Sequence, residues 1–260
     1  MNTVSLNRTP LNLVFAFLGG ALLLFIIAPI AGLYLNAPLS SWTETVADKS
    51  VQDSIWLSLW TSMAGTLLFS LLAIPLAYIL ARKKFRFKSL INGLIDVPII
   101  IPHSAAGIAV LGVISRDSVL GQAADLVGLK LVGNPSGIIL AMAFVSIPFL
   151  INAARDGFCA VPERLEKIAL SLGASPVRVF FTISLPLASR SIVSGLIMMW
   201  ARGMSEFGAV VIVAYNPQTA PVMIFERFTS FGLKYSLPAA AIFVAVSLLI
   251  FIILRVISKK

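Results

Sequence analysis

The chain has 260 residues, of which 58% are hydrophobic and only 12% are charged, and its mean hydropathy is +0.97. This composition excludes an ordinary soluble domain and is typical of a protein that crosses a membrane several times. The net charge of +9 would favour a nucleic-acid partner in a soluble protein, but membrane topology explains it better here, and we expect no nucleic-acid partner.

Six hydrophobic stretches are each long enough to cross a hydrocarbon core of about 30 Å as a helix. Because backbone groups in lipid must pair within the protein, we expect helices rather than open strands. The sequence therefore predicts an all-α, polytopic membrane protein with one transmembrane domain over residues 1–260. The six predicted transmembrane helices cover residues 11–35, 54–81, 90–113, 137–154, 190–214 and 236–257.

The distribution of lysine and arginine predicts the orientation. With both termini placed in the cytoplasm, fourteen of the 20 basic residues fall on inner segments and five on outer segments. Such a bias is the positive-inside pattern, so we expect a multi-pass protein of the cell membrane with both termini cytoplasmic. The remaining basic residue, Arg202, lies inside a predicted span. The five outer residues are Lys49, Arg116, Lys130, Arg227 and Lys234.

A charged insertion at residues 162–186, between the fourth and fifth spans, has the pattern of a helical hairpin. Apolar residues spaced i, i+3, i+4 and i+7 predict an amphipathic helix of about three turns. Gly173 is expected to end this helix with a positive φ. Ser175 and Pro176 suit the N-cap and first position of a second short helix, which Pro186 is expected to end before the fifth span. The apolar stripe consists of Leu165, Ile168, Ala169 and Leu172.

A hairpin of this kind either lies on lipid or fits a groove on a soluble partner. Helices that lie on lipid usually carry lysine and arginine on the polar face. Here the polar face mixes both signs, with Glu163, Glu166 and Lys167, and a capped turn follows. The pattern therefore favours a soluble protein partner.

The spacing of Gly173, Ile183, Leu185 and Pro186 resembles the cytoplasmic coupling loop of ABC importer permeases, called the EAA loop. The Glu-Ala-Ala of that family would fall on residues 167–169, where only Ala169 matches, and Glu166 sits one position early. Two further stretches are similar to the molybdate/tungstate branch of the family, to which the sulfate/thiosulfate permeases are closely related. They are DVPIIIPHSAAG at 96–107 and WARGMSEFGA at 200–209.

The resemblance implies the permease subunit of an ATP-driven importer for a tetrahedral oxyanion, molybdate or tungstate in the first place and sulfate or thiosulfate as the alternative. It also implies the partners: a homodimer or a pair of permeases in the lipid bilayer, a cytoplasmic ABC ATPase dimer and an extracytoplasmic oxyanion-binding protein. ATP hydrolysis is expected in the separate ATPase subunit, because this chain lacks the phosphate-binding loop GxxxxGK[ST]. We therefore expect no catalytic residues, no metal site and no cofactor.

Polar residues inside the predicted spans define a candidate translocation path and gate. Arg202 and Glu206 lie four residues apart on one face of the predicted fifth helix. A charge at mid-span costs about 2.5–3.5 kcal/mol, so such residues pair or face an interior. His103 lies at a similar depth in the third span, about 18–20 Å from its inner end at 1.5 Å per residue, and two prolines are expected to bend that span. The candidate set is Pro98, Pro102, His103, Arg202, Ser205 and Glu206.

Several interpretations of these residues stay open. The Arg202–Glu206 pair either only holds the bundle together or also lends positive potential to a passing anion. His103 either bonds a carbonyl freed by a proline or faces Arg202. A remote enzyme alternative is an intramembrane serine hydrolase that uses His103 and Ser205. An ion-coupled secondary transporter is the alternative transport class, although no internal repeat supports it.

Overall fold

The computed structural model describes residues 10–257, without the side chains of residues 39 and 40. Regular secondary structure in this range is helical, which confirms the all-α prediction. Within residues 10–257, five helices are long and apolar enough to cross a membrane, or six if one bent pair counts as a single span. The helices are α1 (Pro10–Leu35), α2 (Leu39–Ala47), α3 (Lys49–Arg82), α4 (Lys88–Ile100), α5 (His103–Ile114), α6 (Val119–Leu126), α7 (Pro135–Ala160), α8 (Glu163–Ser171), α9 (Pro176–Val179), a π-helical turn (Phe180–Ser184), α10 (Leu185–Met204), α11 (Val210–Val213), α12 (Ala220–Phe231) and α13 (Leu233–Ile257).

Helix α7 is the centre of the bundle and packs most extensively against α3 and α10. Its buried face carries small residues such as Ala141 and Ala143, which let neighbouring helices approach closely. The approach of α7 and α10 is tightest at Gly157 of α7, where an added Cβ would lie 2.5 Å from the Cβ of Ser191 in α10. Small side chains therefore decide how α10 is held against the bundle centre.

Helix α1 lies at the edge of the bundle. None of its residues is buried, although the helix is apolar along its whole length. It contacts α13, where the Tyr34 hydroxyl donates a hydrogen bond of 3.1 Å to the carbonyl oxygen of Ala241. An apolar helix exposed on nearly all sides is suited to lipid rather than to water.

The third predicted span, residues 90–113, is not one helix. Helices α4 and α5 meet at an angle of 112°. The break lies at Ile101, whose φ of −71° and ψ of 147° are extended because the ring of Pro102 disfavours a helical conformation in the residue before it. Pro98 lies within α4 without ending it. The expected bend is present, but it is sharp enough to separate two helices. Pro102 causes it, and Pro98 does not.

The helix that covers the fifth predicted span, residues 190–214, begins and ends earlier than that span. One continuous helix of 29 residues runs from Pro176 to Met204 and joins α9, the π turn and α10; we call it the α10 rod. Pro186, expected to end the second hairpin helix, lies instead inside this rod. The π turn before it explains why, since Leu185 N–H bonds the carbonyl of Phe180, five residues back. A wider turn relieves the clash that a proline ring makes with the carbonyl four residues earlier in an α-helix.

Candidate functional site

The hairpin, residues 163–184, is built as its sequence predicts at the turn. Helix α8 ends at Ser171, and Gly173 has a φ of +87°. The Ser175 side chain then accepts a hydrogen bond of 3.3 Å from the backbone N–H of Arg178, and Pro176 occupies the first turn of α9. At the other end of the hairpin, helix α8 begins at Glu163, and Pro162 is its N-cap residue.

The apolar stripe of α8 faces away from the chain's own core. Leu165 and Ile168 are exposed, Leu172 is 83% exposed, and Ala169 is half-buried. Val177 and Phe181 on the second arm of the hairpin are also exposed, and we call these six residues the exposed apolar stripe. The arrangement leaves a largely hydrophobic surface without cover from the described part of this chain.

Glu166 is buried, unlike its neighbours on α8. Arg82, the last residue of α3, binds it through two nitrogens, with Nη2 2.7 Å from Oε1 and Nε 3.0 Å from both carboxylate oxygens. The hydroxyls of Ser184 and Tyr78 donate to the same carboxylate at 2.7 and 3.5 Å. We call these four residues the Arg82 clamp. The sequence places Glu166 on the polar face of the helix with Glu163 and Lys167, whereas the structure turns it inward to a cation contributed by another helix.

The charge state of Glu166 follows from these partners. Burial raises the pKa of Glu166, but the hydrogen bonds from Arg82 and Ser184 and the charge of Arg82 outweigh it and hold the pKa below its ordinary value. Glu163, by contrast, is on the exposed side of α8 and pairs with Lys167 at 3.0 Å. The two glutamates of this helix therefore face in different directions and have different partners.

A second group of charges lies where α5 begins and α10 ends, and we call it the polar cluster (His103, Arg202 and Glu206). Glu206 Oε2 lies 2.9 Å from Arg202 Nη2 and 2.8 Å from His103 Nδ1. With its proton on Nδ1, His103 donates to Glu206. Arg202 Nη2 lies 2.9 Å from Nδ1 and 3.0 Å from Nε2 of the same ring. The predicted approach of His103 and Arg202 is therefore present, and the partner of His103 is a carboxylate rather than a freed carbonyl.

Burial differs sharply within the polar cluster. The side chain of Glu206 is 1% exposed, that of Arg202 is 25% exposed and that of His103 is 42% exposed. The remaining oxygen of Glu206 accepts a hydrogen bond of 2.9 Å from the backbone N–H of Ala209. Glu206 is thus the buried anchor of the cluster, and its two partners reach toward the surface of the chain.

The pairing of Arg202 with Glu206 was predicted, but its setting was not. Helix α10 ends at Met204, so Glu206 lies in the turn after the helix rather than on the same helical face. The turn closes because Glu206 N–H bonds the carbonyl of Gly203 at 3.0 Å, and the Glu206 side chain caps Ala209. The pair therefore joins a helix end to the segment that follows it.

Close backbone packing fixes the polar cluster against the break between α4 and α5. A Cβ added at Gly208 would lie 2.6 Å from the Cβ of His103, and one added at Gly107 would lie 2.9 Å from Ala209. Ser205 is exposed, and its hydroxyl donates to the carbonyl of Arg202 at 3.1 Å. The Ser205 hydroxyl thus donates to a backbone carbonyl rather than to His103, and the geometry does not support a serine hydrolase.

Sequence reasoning missed Arg82, Tyr78 and Ser184. In the sequence Arg82 is only one of the fourteen basic residues on inner segments, followed directly by Lys83 and Lys84. Its special position has no local signal, because its partner Glu166 lies 84 residues away in the chain. The burial of Glu166 on an otherwise exposed helix reveals the partner only once the structure is known.

A bundle of long apolar helices, an internal group of paired charges and a protruding hairpin with an exposed apolar stripe together define a multi-pass membrane protein. The family model of the inner membrane component of binding-protein-dependent transport systems matches residues 73–260. The chain belongs to this family, whose members form the membrane component and are not themselves the ATPase.

Relatives agree with this assignment. The chain is 46% identical over 244 residues to the molybdate/tungstate transport system permease protein WtpB of Pyrococcus abyssi, with 93% of each chain covered. A more distant relative, 33% identical over 66% of this chain and 62% of its own, is the probable sulfate transport system permease protein cysT of Chlorokybus atmophyticus. In fold the chain is similar to a bacterial ABC transporter involved in the import of alginate, with a TM-score of 0.73, 17% identity and 95% of both chains covered.

Proposed function

We propose that the chain is the permease subunit of an ATP-driven importer of molybdate or tungstate, placed in the cell membrane with both termini in the cytoplasm. Sequence identity supports this anion class. The chain is 46% identical to a molybdate/tungstate permease, but only 33% identical, over a smaller part of its length, to a probable sulfate permease. The positive-inside bias supports the orientation, since it places the hairpin in the cytoplasm. Family membership counts against an ion-coupled secondary transporter.

The exposed apolar stripe is the observation that carries the proposal. Leu165, Ile168 and Leu172 project from α8 with the spacing of anchors that enter a groove on a partner. Covering apolar surface gains about 25 cal/mol per Å², so such a stripe outside the membrane favours a bound partner. We infer that this partner is the ABC ATPase, one copy for each of two paired permeases, and that an oxyanion-binding protein delivers the anion on the opposite side.

The polar cluster is our candidate for the gate. In the present arrangement Glu206 neutralises Arg202 and accepts the hydrogen bond of His103. A tetrahedral oxyanion offers the same two donors an equivalent set of acceptor oxygens. We propose that the anion passes along α5 and the end of the α10 rod, and that Glu206 holds both donors until the path opens.

Reconstitution tests the proposal. The chain, its cognate ATPase and its binding protein are placed in proteoliposomes, and molybdate uptake is measured with and without ATP. We expect uptake only with ATP, and competition by tungstate far stronger than by sulfate. Equal competition by sulfate would favour the sulfate/thiosulfate alternative, and uptake by the chain alone on an ion gradient would make it a secondary transporter.

A variant pair tests the docking surface separately. Leu172→Asp puts a charge on the exposed apolar stripe and is expected to reduce co-purification of the ATPase by more than about tenfold, because a desolvated charge costs several kcal/mol. Leu126→Asp is the matched control, since Leu126 is 89% exposed in α6, on the proposed outer side. Loss of ATPase binding in both variants, or in neither, would contradict the assignment of the stripe.

A further inference from the structure

The Arg82 clamp joins three elements that the proposed function treats separately. Arg82 and Tyr78 belong to the end of α3, Glu166 to α8, and Ser184 to the π turn of the α10 rod. Arg82 Nη2 also donates to the carbonyl of Val161 at 3.0 Å, at the junction of α7 and α8. A single guanidinium therefore contacts the start of the hairpin, its first helix and, through Glu166, the base of the rod.

Burial makes this clamp different from an ordinary surface ion pair. The side chains of Arg82 and Glu166 are each only 10% exposed, whereas those of Lys167 and Glu163 on the same helix are 72% and 56% exposed. Exposed pairs contribute little to stability, but removing one partner of a buried pair leaves a charge without compensation. The four residues hold one geometry, because Arg82 binds the carboxylate in a two-pronged manner.

The clamp acts on the hairpin from the side opposite to the exposed apolar stripe. Glu166 points into the bundle while Leu165 and Ile168 point out. A partner that pulls or pushes the part of the stripe on α8 can either tilt α8 alone or move α8 together with α3 and the rod. The clamp decides between these two responses.

We propose that Arg82 is a positioning residue for energy coupling, which locks α8 to α3 and to the α10 rod so that displacement of the hairpin moves the far end of the rod. This inference rests on the proposed function. The rod spans about 40 Å at 1.5 Å per residue and ends beside Arg202 of the polar cluster. The ATPase is thereby connected to the candidate gate through one helix whose lower end cannot move separately from α8.

Spin labels measure this rigidity directly. In a Cys159→Ser background, labels are placed at Lys167→Cys on the exposed side of α8 and at Leu68→Cys on the exposed side of α3. Leu68 lies 14 residues before Arg82, or about 21 Å along the helix. We expect the distance between the labels in the full transporter to stay constant when ATP is added, and to change or broaden with ATP once Arg82→Met is introduced.

Transport measurements on the same variants complete the test. Arg82→Met is expected to lower ATP-driven uptake by more than about tenfold, because the buried Glu166 loses its cation, while the ATPase still co-purifies and still hydrolyses ATP. Ser184→Ala, which removes only the link to the rod, is expected to lower uptake less. The reversed pair Arg82→Glu/Glu166→Arg is expected to recover part of it. Lys167→Gln, which breaks the exposed pair, is the control and stays within about twofold.

The outcomes separate the clamp from the proposed function. If the unmodified chain shows no ATP-driven uptake, the proposed function fails. If it does, but Arg82→Met keeps full uptake and a constant label distance, the clamp proposal is overturned. It is also overturned if Arg82→Met simply loses the ATPase, because the clamp would then only shape the docking surface. Should Arg82→Met not assemble, Ser184→Ala decides, and full uptake in that variant would overturn the link to the rod.

Discussion

Gly173→Val is the sharpest test of the hairpin, because the structure isolates a single cause for its effect. Gly173 has a φ of +87°, and nothing lies within 4 Å of the place where a Cβ would sit. The substitution therefore creates no clash, and its penalty is the cost of placing a β-branched residue in the left-handed region, about 2 kcal/mol. A penalty of about 2 kcal/mol lowers the population of this turn, relative to other conformations of the same segment, by roughly thirtyfold.

The turn has two hydrogen bonds that depend on this conformation. Gly173 N–H bonds the carbonyl of Leu170 at 3.0 Å, and Ala174 N–H bonds that of Ala169 at 3.1 Å. A turn that leaves the left-handed region gives up this pairing and changes the angle between α8 and α9. We expect ATPase co-purification and anion uptake to fall by about tenfold or more, while the chain inserts in the membrane in normal amounts.

Two controls separate backbone strain from position. Gly173→Asn is expected to keep most of the uptake, because asparagine tolerates the left-handed region. Gly128→Val carries the same kind of strain at a φ of +74°, also with nothing within 4 Å, but between α6 and α7. It must leave ATPase co-purification unchanged. Undiminished ATPase binding and uptake in Gly173→Val, or equal loss in Gly128→Val, would refute the reasoning.

Three further predictions concern the gate, the topology and the clamp. Arg202→Met is expected to reduce uptake more than Glu206→Gln, because it leaves the buried carboxylate of Glu206 without its arginine, whereas Glu206→Gln leaves a charge on Arg202 that is partly exposed to solvent. The double variant should recover part of the loss, and purely additive losses in uptake would contradict a functional pair. An impermeant amine reagent added to intact cells should label Lys130 and spare Lys83, and the reverse pattern would invert the orientation. Burial raises the pKa of Glu166, but the hydrogen bonds from Arg82 and Ser184 outweigh burial, so its folded pKa lies below the pKa of the unfolded chain; the stabilisation is present above the unfolded pKa and is lost as the pH falls through the folded pKa. Thermal unfolding of the purified chain should show this acid step, Glu166→Gln should lack it, and parallel pH curves would exclude it.

The parts of the hairpin that sequence predicts correctly are those determined by neighbouring residues. Gly173 takes a positive φ, Ser175 caps the next helix and Pro176 stands in its first turn. Each of these roles depends on backbone geometry over three or four residues. The position of the apolar residues of α8 on one face of the helix follows from the helical period for the same reason.

The parts that sequence misses depend on contacts between distant segments or on competition between local rules. Glu166 is polar, and polarity alone groups it with the exposed Glu163 and Lys167, but Arg82 from α3 makes a buried position favourable. Pro186 carries the local signal of a helix end, and the π turn before it overrides that signal. Hydropathy likewise counts Ile101 and Pro102 as part of one span, because it does not register the extended conformation that a proline imposes on its neighbour.

The misplaced end of α10 changes what the Arg202–Glu206 pair does mechanically. Two charges one turn apart on a continuous helix stabilise only that helix. Because Glu206 lies beyond the helix end and also binds His103, the pair instead ties together the end of the α10 rod, the turn that follows and the first residue of α5. A shift of the rod along its axis must therefore stretch these contacts or carry α5 with it. For this reason the loss of one buried partner should affect uptake as well as stability, whereas a pair within one helix would affect stability alone.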